Sequence, residues 1–142
     1  MRIRFSAALL CAGLVLAAQS ACAQLTVVLN GVQHDRGSVR VGLYKDPATF
    51  RKEAHAYAIQ QVPAQAGSVR VQFADLPSGD YAIMAYHDED GNGELNRRFG
   101  MFPTEGYGLS KNPQVSGPPA FADSAFHVES GQAQELTINM RY

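Results

Sequence analysis

The chain has 142 residues, of which 46% are hydrophobic and 18% are charged, and its formal net charge is −1. This length suits one domain, because domains commonly span about 100–150 residues. The composition is too apolar for a disordered chain, and a net charge near zero argues against a nucleic-acid partner. We therefore expect a single folded domain that does not bind nucleic acid.

The N-terminus has the three parts of a secretory signal peptide. Two arginines precede a short apolar run over residues 5–18, and an A-x-A tripeptide ends at Ala23. This order is typical of a signal that is cleaved after the tripeptide, and the run is shorter than the roughly 20 residues of a membrane-spanning helix. We predict a signal peptide over residues 1–23 and a domain over residues 24–142 with no transmembrane segment.

Both cysteines, Cys11 and Cys22, belong to the predicted signal peptide. A domain released after Ala23 therefore has no disulfide, no thiol nucleophile and no thiolate metal site. Cys22 also follows small residues of the kind that precede the lipidated cysteine of bacterial lipoproteins, but Gln19 stands where such signals usually have an aliphatic residue. The sequence favours a periplasmic or secreted protein over a lipoprotein anchored through Cys22.

After the signal, the hydrophobic pattern has the period of two that is typical of half-buried strands. Val69, Val71 and Phe73 illustrate it, because Arg70 and Gln72 separate them. Short strands punctuated by Gly, Pro and Asp predict an all-β fold, an antiparallel two-sheet sandwich of the transthyretin-like or immunoglobulin-like kind. Seven strands are expected, over residues 25–29, 39–44, 57–62, 69–73, 81–87, 124–129 and 136–142.

One short helix and one long loop interrupt this pattern. Asp46 is a good N-cap and Pro47 suits a first helical position, which predicts a helix of one to three turns over residues 46–56. Residues 91–123 are rich in Gly and Pro and show no alternation, so we expect few regular elements there. Loops of this length are usually functional or disordered, and the apolar side chains within this one favour an ordered loop.

The start of this long loop resembles a calcium-binding loop. Asp88, Asp90 and Asn92 carry oxygen atoms at alternate positions, and Gly93 follows them, as at the start of an EF-hand loop. A tight turn directs these alternate side chains inward, and the backbone carbonyl of Glu94 would then point inward as well. Because all of these ligands are oxygen atoms, the pattern predicts Ca²⁺ rather than Zn²⁺ or Cu²⁺.

The match to an EF-hand is incomplete. Asn96 is a further candidate ligand, directly or through a water, but Phe99 stands where a complete loop has its bidentate Glu. The flanking segments also lack amphipathic helices. We therefore expect a shorter Asp/Asn loop on a β scaffold, with the missing carboxylate supplied by Glu105 as first candidate or Asp123 as second.

The sequence also allows three other interpretations, two for the acidic loop and one for the histidines. Asp, Asn and Gly are common turn residues, so the segment is also typical of a solvated turn without an ion. Asp88, Asp90 and Glu105 are candidates for the carboxylates of a small hydrolase or lyase that acts on envelope carbohydrate. His87 and His127 would form a transition-metal site if the strands brought their imidazoles together.

Several motifs give the chain a family resemblance. The L-P-x-G-x-Y step from Leu76 to Tyr81 is similar to that of transthyretin-like and Cna-B-like sandwich domains. The acidic loop, the E-G-Y-G segment that starts at Glu105 and the G-P-P segment that starts at Gly117 follow in order. Together these motifs resemble the exported bacterial family called domain of unknown function 2141, over residues 25–142.

The resemblance implies a small exported all-β domain without an established activity. Members of the family often have Asp where this chain has Asn96, and an amide ligand weakens a calcium site. We expect a non-enzymatic, monomeric binding or accessory domain whose partner is a protein or an envelope glycan. A calcium ion held by the acidic loop and Glu105 is expected to order residues 93–119.

Overall fold

The computed structural model describes residues 22–142, and most of the predicted signal peptide, up to residue 21, lies outside the described residues. The described part is rich in strands and contains one short α-helix, which confirms the all-β fold class. The elements are β1 (Ala23–Val32), β2 (Ser38–Tyr44), a 3-10 turn (Glu53–His55), β3 (Ala58–Pro63), β4 (Gly67–Leu76), β5 (Gly79–Asp88), β6 (Arg97–Arg98), β7 (Phe102–Pro103), β8 (Tyr107–Leu109), α1 (Phe121–Ser124), β9 (Phe126–Val128) and β10 (Ala133–Asn139).

Two sheets form a sandwich, as the alternating pattern predicts. One sheet has the order β10-β1-β4, and the other has the order β3-β2-β5-β8, with β9 pairing the start of β5. Strands β6 and β7 form a separate two-stranded hairpin. The pairing between β1 and β10 is parallel, whereas the other strand pairs in the described part are antiparallel.

The core between the two sheets is built from the alternating apolar residues. Leu25, Val27 and Leu29 of β1 are fully buried and belong to the same cluster as Val41 and Ile83 of the other sheet. Burying one such side chain contributes about 1.5–3 kcal/mol. The period-two pattern thus identifies the inward face of each long strand correctly.

The sheet that contains β5 is covered on its outer face as well. Tyr44, Met84 and Tyr86 point away from the central core and form a second buried cluster with Phe50 and Leu95. These last two residues come from the segment between β2 and β3 and from the loop after β5. As a result β5 is buried on both faces up to its last residue.

The helix predicted over residues 46–56 is wrong. The Asp46 carboxylate does cap a turn, since it accepts a hydrogen bond from the backbone amide two residues later at 2.8 Å. Arg51 then adopts a left-handed φ of 70°, which ends the turn before a helix can continue. The segment contains only the 3-10 turn Glu53–His55, and the α-helix of the described chain is Phe121–Ser124.

The long loop over residues 91–123 is more regular than the sequence suggested. It contains the β6–β7 hairpin, strand β8 on the edge of β5, and most of α1. The outer residues Phe99 and Phe102 of the hairpin are exposed, so they give no alternation that marks a strand. The β6–β7 hairpin is therefore regular without a buried face, whereas β8 is largely buried at the edge of β5.

Candidate functional site

The acidic loop begins where β5 ends. His87 and Asp88 are almost fully buried, at 0% and 1% exposure, and Asp88 lies opposite Ser38 of β2. The neighbouring Gly37 has a φ of 71°, and a Cβ atom there would overlap the carbonyl oxygen of Asp88. The close approach of these two backbones fixes the position from which the loop leaves the sheet.

Asp88 organises the turn that follows it. Its Oδ1 atom accepts a hydrogen bond from the backbone amide of Asn92 at 3.1 Å, and its Oδ2 atom accepts one from Gly93 at 2.9 Å. Gly91 and Gly93 have φ values of 73° and 77°, which glycine adopts without strain. The loop therefore curls back over its own first carboxylate.

Glu105 closes the same loop from the far side of the hairpin. Its carboxylate is 5% exposed and accepts hydrogen bonds from the backbone amides of Glu89 and Asn96, both at 3.0 Å. Glu89 lies at the start of the acidic loop and Asn96 at its end. One buried side chain thus holds the two ends of the acidic loop together.

Asp90 and the two asparagine side chains form the exposed rim. The Asp90 carboxylate accepts hydrogen bonds from the Asn96 side chain at 2.7 Å and from the Asn92 backbone amide at 3.2 Å. These bonds, led by that from Asn96, hold the pKa of Asp90 below its ordinary value. The Asn92 side chain donates in turn to Oδ1 of Asn96 at 2.6 Å.

Three carboxylates converge in this loop. Asp88, Asp90 and Glu105 each offer one oxygen atom, and these atoms lie within 4.8 Å of one another. Calcium–oxygen distances are about 2.3–2.6 Å, so two ligands of one ion lie up to about 5 Å apart. Within residues 22–142, none of the three carboxylates forms a salt bridge with a basic side chain. The spacing and the unpaired charge fit a calcium ion.

The structure separates the two candidates for the missing carboxylate. Glu105 belongs to the cluster, whereas Asp123 lies on the exposed side of α1 and is not part of it. The backbone amide of Glu94 donates to Oδ1 of Asn92 at 2.9 Å, so this segment also curls toward the loop. Ion binding by any of these residues stays a prediction.

The alternative of a transition-metal site at His87 and His127 requires that the two imidazoles meet, and the structure keeps them apart. His127 lies opposite Asp80 near the start of β5, whereas His87 is seven residues further along that strand. At about 3.3 Å per residue, the two residues are separated by about 23 Å. Their pairing cannot form a metal site.

His34 instead approaches His87, next to the acidic loop. The two rings have centroids 4.5 Å apart, and Nε2 of His34 lies 3.1 Å from the Glu89 carboxylate. His87 is held on both sides, because its Nε2 atom donates to the Arg36 carbonyl at 2.6 Å and its Nδ1 atom lies 2.8 Å from the Tyr142 hydroxyl. His87 therefore acts as a buried link between the β1–β2 turn and Tyr142.

A cavity of about 610 Å³, not predicted from the sequence, lies on the outer face of β2 and β5. The Arg40 guanidinium pairs with Glu53 inside it, and the Tyr86 hydroxyl lies 2.6 Å from Glu53 and 2.9 Å from the Gly93 carbonyl. Burial raises the pKa of Tyr86, and it raises the pKa of Tyr44 to about 12. Both phenols are therefore neutral hydrogen-bonding groups at neutral pH.

The cavity residues were missed because they alternate with the core residues of β2 and β5, as solvent-facing residues would. Asp88, Asp90 and Glu105 do not line this cavity. Asp88 and Glu105 instead direct their oxygens at backbone amides. The carboxylates considered for carbohydrate hydrolysis therefore lie outside this cavity.

In the described part of the chain, no helix has the length and apolar character needed to cross a membrane.

No curated protein and no solved structure shows significant similarity to the chain. The model of one family, described as an uncharacterized protein conserved in bacteria (DUF2141), matches residues 27–137. This match covers most of the sequence and confirms the resemblance carried by the acidic loop and the E-G-Y-G segment. The chain belongs to the bacterial family DUF2141.

Proposed function

We propose that the chain is an exported binding or accessory domain in which the acidic loop and Glu105 bind Ca²⁺ as a structural ion. The supporting observation is the convergence of Asp88, Asp90 and Glu105 within 4.8 Å, with two of the three carboxylates buried. Buried carboxylates in proteins are normally paired with a cation or coordinate a metal. Within residues 22–142 these three have no basic partner.

The donor set suits calcium. A carboxylate oxygen that accepts one backbone hydrogen bond keeps a further lone pair for a cation. Calcium takes six to eight oxygen ligands, including carboxylates, amide and backbone carbonyls, and water. The residues that would hold the ion are Asp88, Asp90 and Glu105 through carboxylates, Asn92 and Asn96 through amide oxygens, and Glu94 through its backbone carbonyl.

The ion would join the end of β5 to the return strand of the hairpin. Asp88 begins the loop and Glu105 follows β7, so an ion bound by both would link the two ends of the segment over residues 88–105. It would also neutralise the repulsion among three clustered carboxylates and offset the entropy of ordering the loop. We therefore assign the calcium a structural role, in which it orders residues 93–119 as a surface for a protein or an envelope glycan.

The geometry gives less support to a carbohydrate hydrolase. Such an enzyme needs two carboxylates on opposite sides of a bound sugar, about 5–10 Å apart. Asp88 and Glu105 are buried and hydrogen-bonded to backbone amides, and neither lines the cavity beside β5. Two acids line that cavity, Glu53 and Glu94, and Glu53 is paired with Arg40.

Calorimetric titration of the exported domain tests the calcium proposal. We expect a single site with a Kd of about 10⁻⁴–10⁻³ M, the range of extracellular calcium modules, in protein first treated with chelator. Asp88→Asn should abolish the heat of binding. Absence of calcium binding up to ~10 mM would overturn the proposal. So would a preference for Zn²⁺ that is lost in His34→Ala, because it would assign the site to His34, His87 and Glu89.

Export is tested separately. We propose that the protein is released into the periplasm after cleavage behind Ala23, which is the first residue of β1. Cell fractionation followed by N-terminal sequencing should recover a soluble protein that begins at Gln24. Recovery in the membrane fraction with a lipid on Cys22 would instead establish the lipoprotein alternative.

A further inference from the structure

The β6–β7 hairpin exposes three large apolar side chains at one end of the domain. Phe99, Met101 and Phe102 are 83%, 69% and 61% exposed, more than the other exposed large apolar residues in the described chain. They occupy the turn between Arg97–Arg98 and Phe102–Pro103 and the first position after it. Exposed apolar side chains that cluster in this way mark interaction surfaces.

The turn holds an aromatic residue in an unfavourable conformation. The backbone amide of Met101 donates to the Arg98 carbonyl at 3.2 Å, and the two central residues, Phe99 and Gly100, have φ values of 55° and 68°. Two positive φ values are typical of a type I′ turn, for which Asn-Gly is the preferred pair. A bulky residue at positive φ is uncommon and carries a conformational cost. Phe99 bears this cost without being buried, which indicates a role outside the fold.

The base of the hairpin is well anchored. The backbone amide of Thr104 donates to the Asn96 carbonyl at 2.9 Å, and Arg97 pairs with Pro103 in the ladder. The amide of Asn96 is held in turn by the buried Glu105 carboxylate. The apolar tip is therefore presented on a defined arm.

The hairpin also carries positive charge. Arg97 and Arg98 are both exposed, and neither forms a salt bridge within residues 22–142. Residues 97–104 contain no acidic side chain. The chain as a whole has a net charge of −1, so the positive charge of the hairpin is a local feature of its surface. Two unpaired guanidinium groups lie beside three exposed apolar side chains.

We propose that the β6–β7 hairpin docks on the surface of an anionic lipid bilayer. Phe99, Met101 and Phe102 enter the boundary between headgroups and acyl chains, and the guanidinium groups of Arg97 and Arg98 contact lipid phosphates. A protein partner fits less well, since a stable protein interface takes about 800 Å² from each side and this tip consists of a few residues. The β6–β7 pairing and the Glu105 hydrogen bond hold the hairpin without an ion, so vesicle binding measured in EDTA distinguishes failure of docking from failure of the calcium proposal.

Vesicle co-sedimentation tests this proposal with the purified exported domain. We expect binding to vesicles of phosphatidylcholine with one quarter phosphatidylglycerol, and much weaker binding to phosphatidylcholine alone. Phe99→Asn should lower the partition coefficient about tenfold, because it removes the deepest apolar group while introducing the residue that a type I′ turn prefers. Arg98→Gln should lower it about fivefold. Tyr57→Gln, at an apolar position that is 46% exposed outside the hairpin, serves as the matched control and should leave it unchanged.

A fluorescence measurement gives an independent readout. The chain has no Trp, so Phe99→Trp places a single indole at the tip. Its emission should shift to the blue on anionic vesicles and be quenched by brominated acyl chains. Two results overturn the proposal: wild-type protein that stays in the supernatant with both vesicle types, or Phe99→Asn that sediments as wild type does. Self-association that Phe99→Asn abolishes, without vesicle binding, would assign the hairpin to a contact between copies.

Discussion

The carboxylate of Glu105 accepts a hydrogen bond from the backbone amide of Asn96, at 3.0 Å, across the base of the β6–β7 hairpin. Its second oxygen accepts one from Glu89 at the start of the acidic loop. One buried side chain therefore connects the end of β5, the acidic loop and the hairpin. A substitution of Glu105 should therefore alter both the acidic loop and the exposed tip of the hairpin.

Glu105→Gln should weaken calcium binding about tenfold or more, because calcium affinity depends on the number of charged ligands. Asp123→Asn is the matched control, since Asp123 was the other candidate carboxylate and lies on exposed α1. We expect the control to bind calcium as wild type does in a calorimetric titration. Equal losses in the two variants would show that Glu105 is not a ligand.

Calcium should protect the hairpin from trypsin. Arg97 and Arg98 are exposed cleavage sites directly after the acidic loop, and an ion shared with Glu105 would restrain them. We expect EDTA to accelerate cleavage there several-fold and to leave cleavage at the exposed Lys52 unchanged. Identical rates at Arg98 with and without EDTA would contradict the ordering role of the ion.

Asn96→Asp should have opposite effects with and without calcium. The Asn96 amide donates to Asp90 at 2.7 Å, and a carboxylate there would replace this hydrogen bond with repulsion. We expect a lower melting temperature in EDTA and a calcium affinity several-fold above that of wild type. Thermal unfolding in EDTA and in calcium measures the melting temperature of the variant and of wild type. A variant whose melting temperature rises no more with calcium than that of wild type would count against the site.

Gly37 and Gly67 begin the two copies of the pentapeptide Gly-Ser-Val-Arg-Val and allow a matched comparison. Both have positive φ, but a Cβ atom at Gly67 meets nothing within 4 Å, whereas at Gly37 it overlaps the Asp88 backbone. We expect Gly67→Ala to lower the free energy of unfolding by about 1 kcal/mol and Gly37→Ala by about 3 kcal/mol or more. Urea denaturation that gives equal losses would show that the close contact with Asp88 is unimportant.

The pKa of His127 should depend on its hydrogen bond to Asp80. Nδ1 of His127 lies 2.8 Å from the Asp80 carboxylate, and this bond raises the pKa of the histidine. Because the pKa of His127 is raised in the folded state, this interaction stabilises the fold at pH values below the ordinary histidine pKa. The stabilisation is lost as the pH rises through the pKa of the folded state. An NMR titration should show a higher midpoint for His127 in wild type than in Asp80→Asn. Equal midpoints would exclude this interaction.

Much of the sandwich was predictable because burial alternates along single strands. Leu25, Val27 and Leu29 mark the inward face of β1 from sequence alone, and the structure confirms it. The parallel pairing of β1 with β10 was not predictable, since alternation identifies a buried face but not a partner or its direction. The helix expected after Asp46 is not formed because Arg51 adopts a left-handed conformation, which the capping rules do not predict.

The candidate site was predictable only in part. The spacing of Asp88, Asp90 and Asn92 is local, so the sequence reveals it. Glu105 was proposed from the need for another carboxylate, and the structure brings it into the cluster through the β6–β7 hairpin, which has no buried face to mark it. The approach of His34 to His87 depends on how β1, β2 and β5 align, which the alternation within single strands does not reveal.

A crystal structure of residues 24–142 grown in about 10 mM CaCl₂ tests the central claim most directly. We expect an anomalous difference peak between Asp88, Asp90 and Glu105, at about 2.3–2.6 Å from an oxygen of each. Carboxylates that keep only their backbone and asparagine hydrogen bonds, with no peak among them, would contradict the calcium role of this loop.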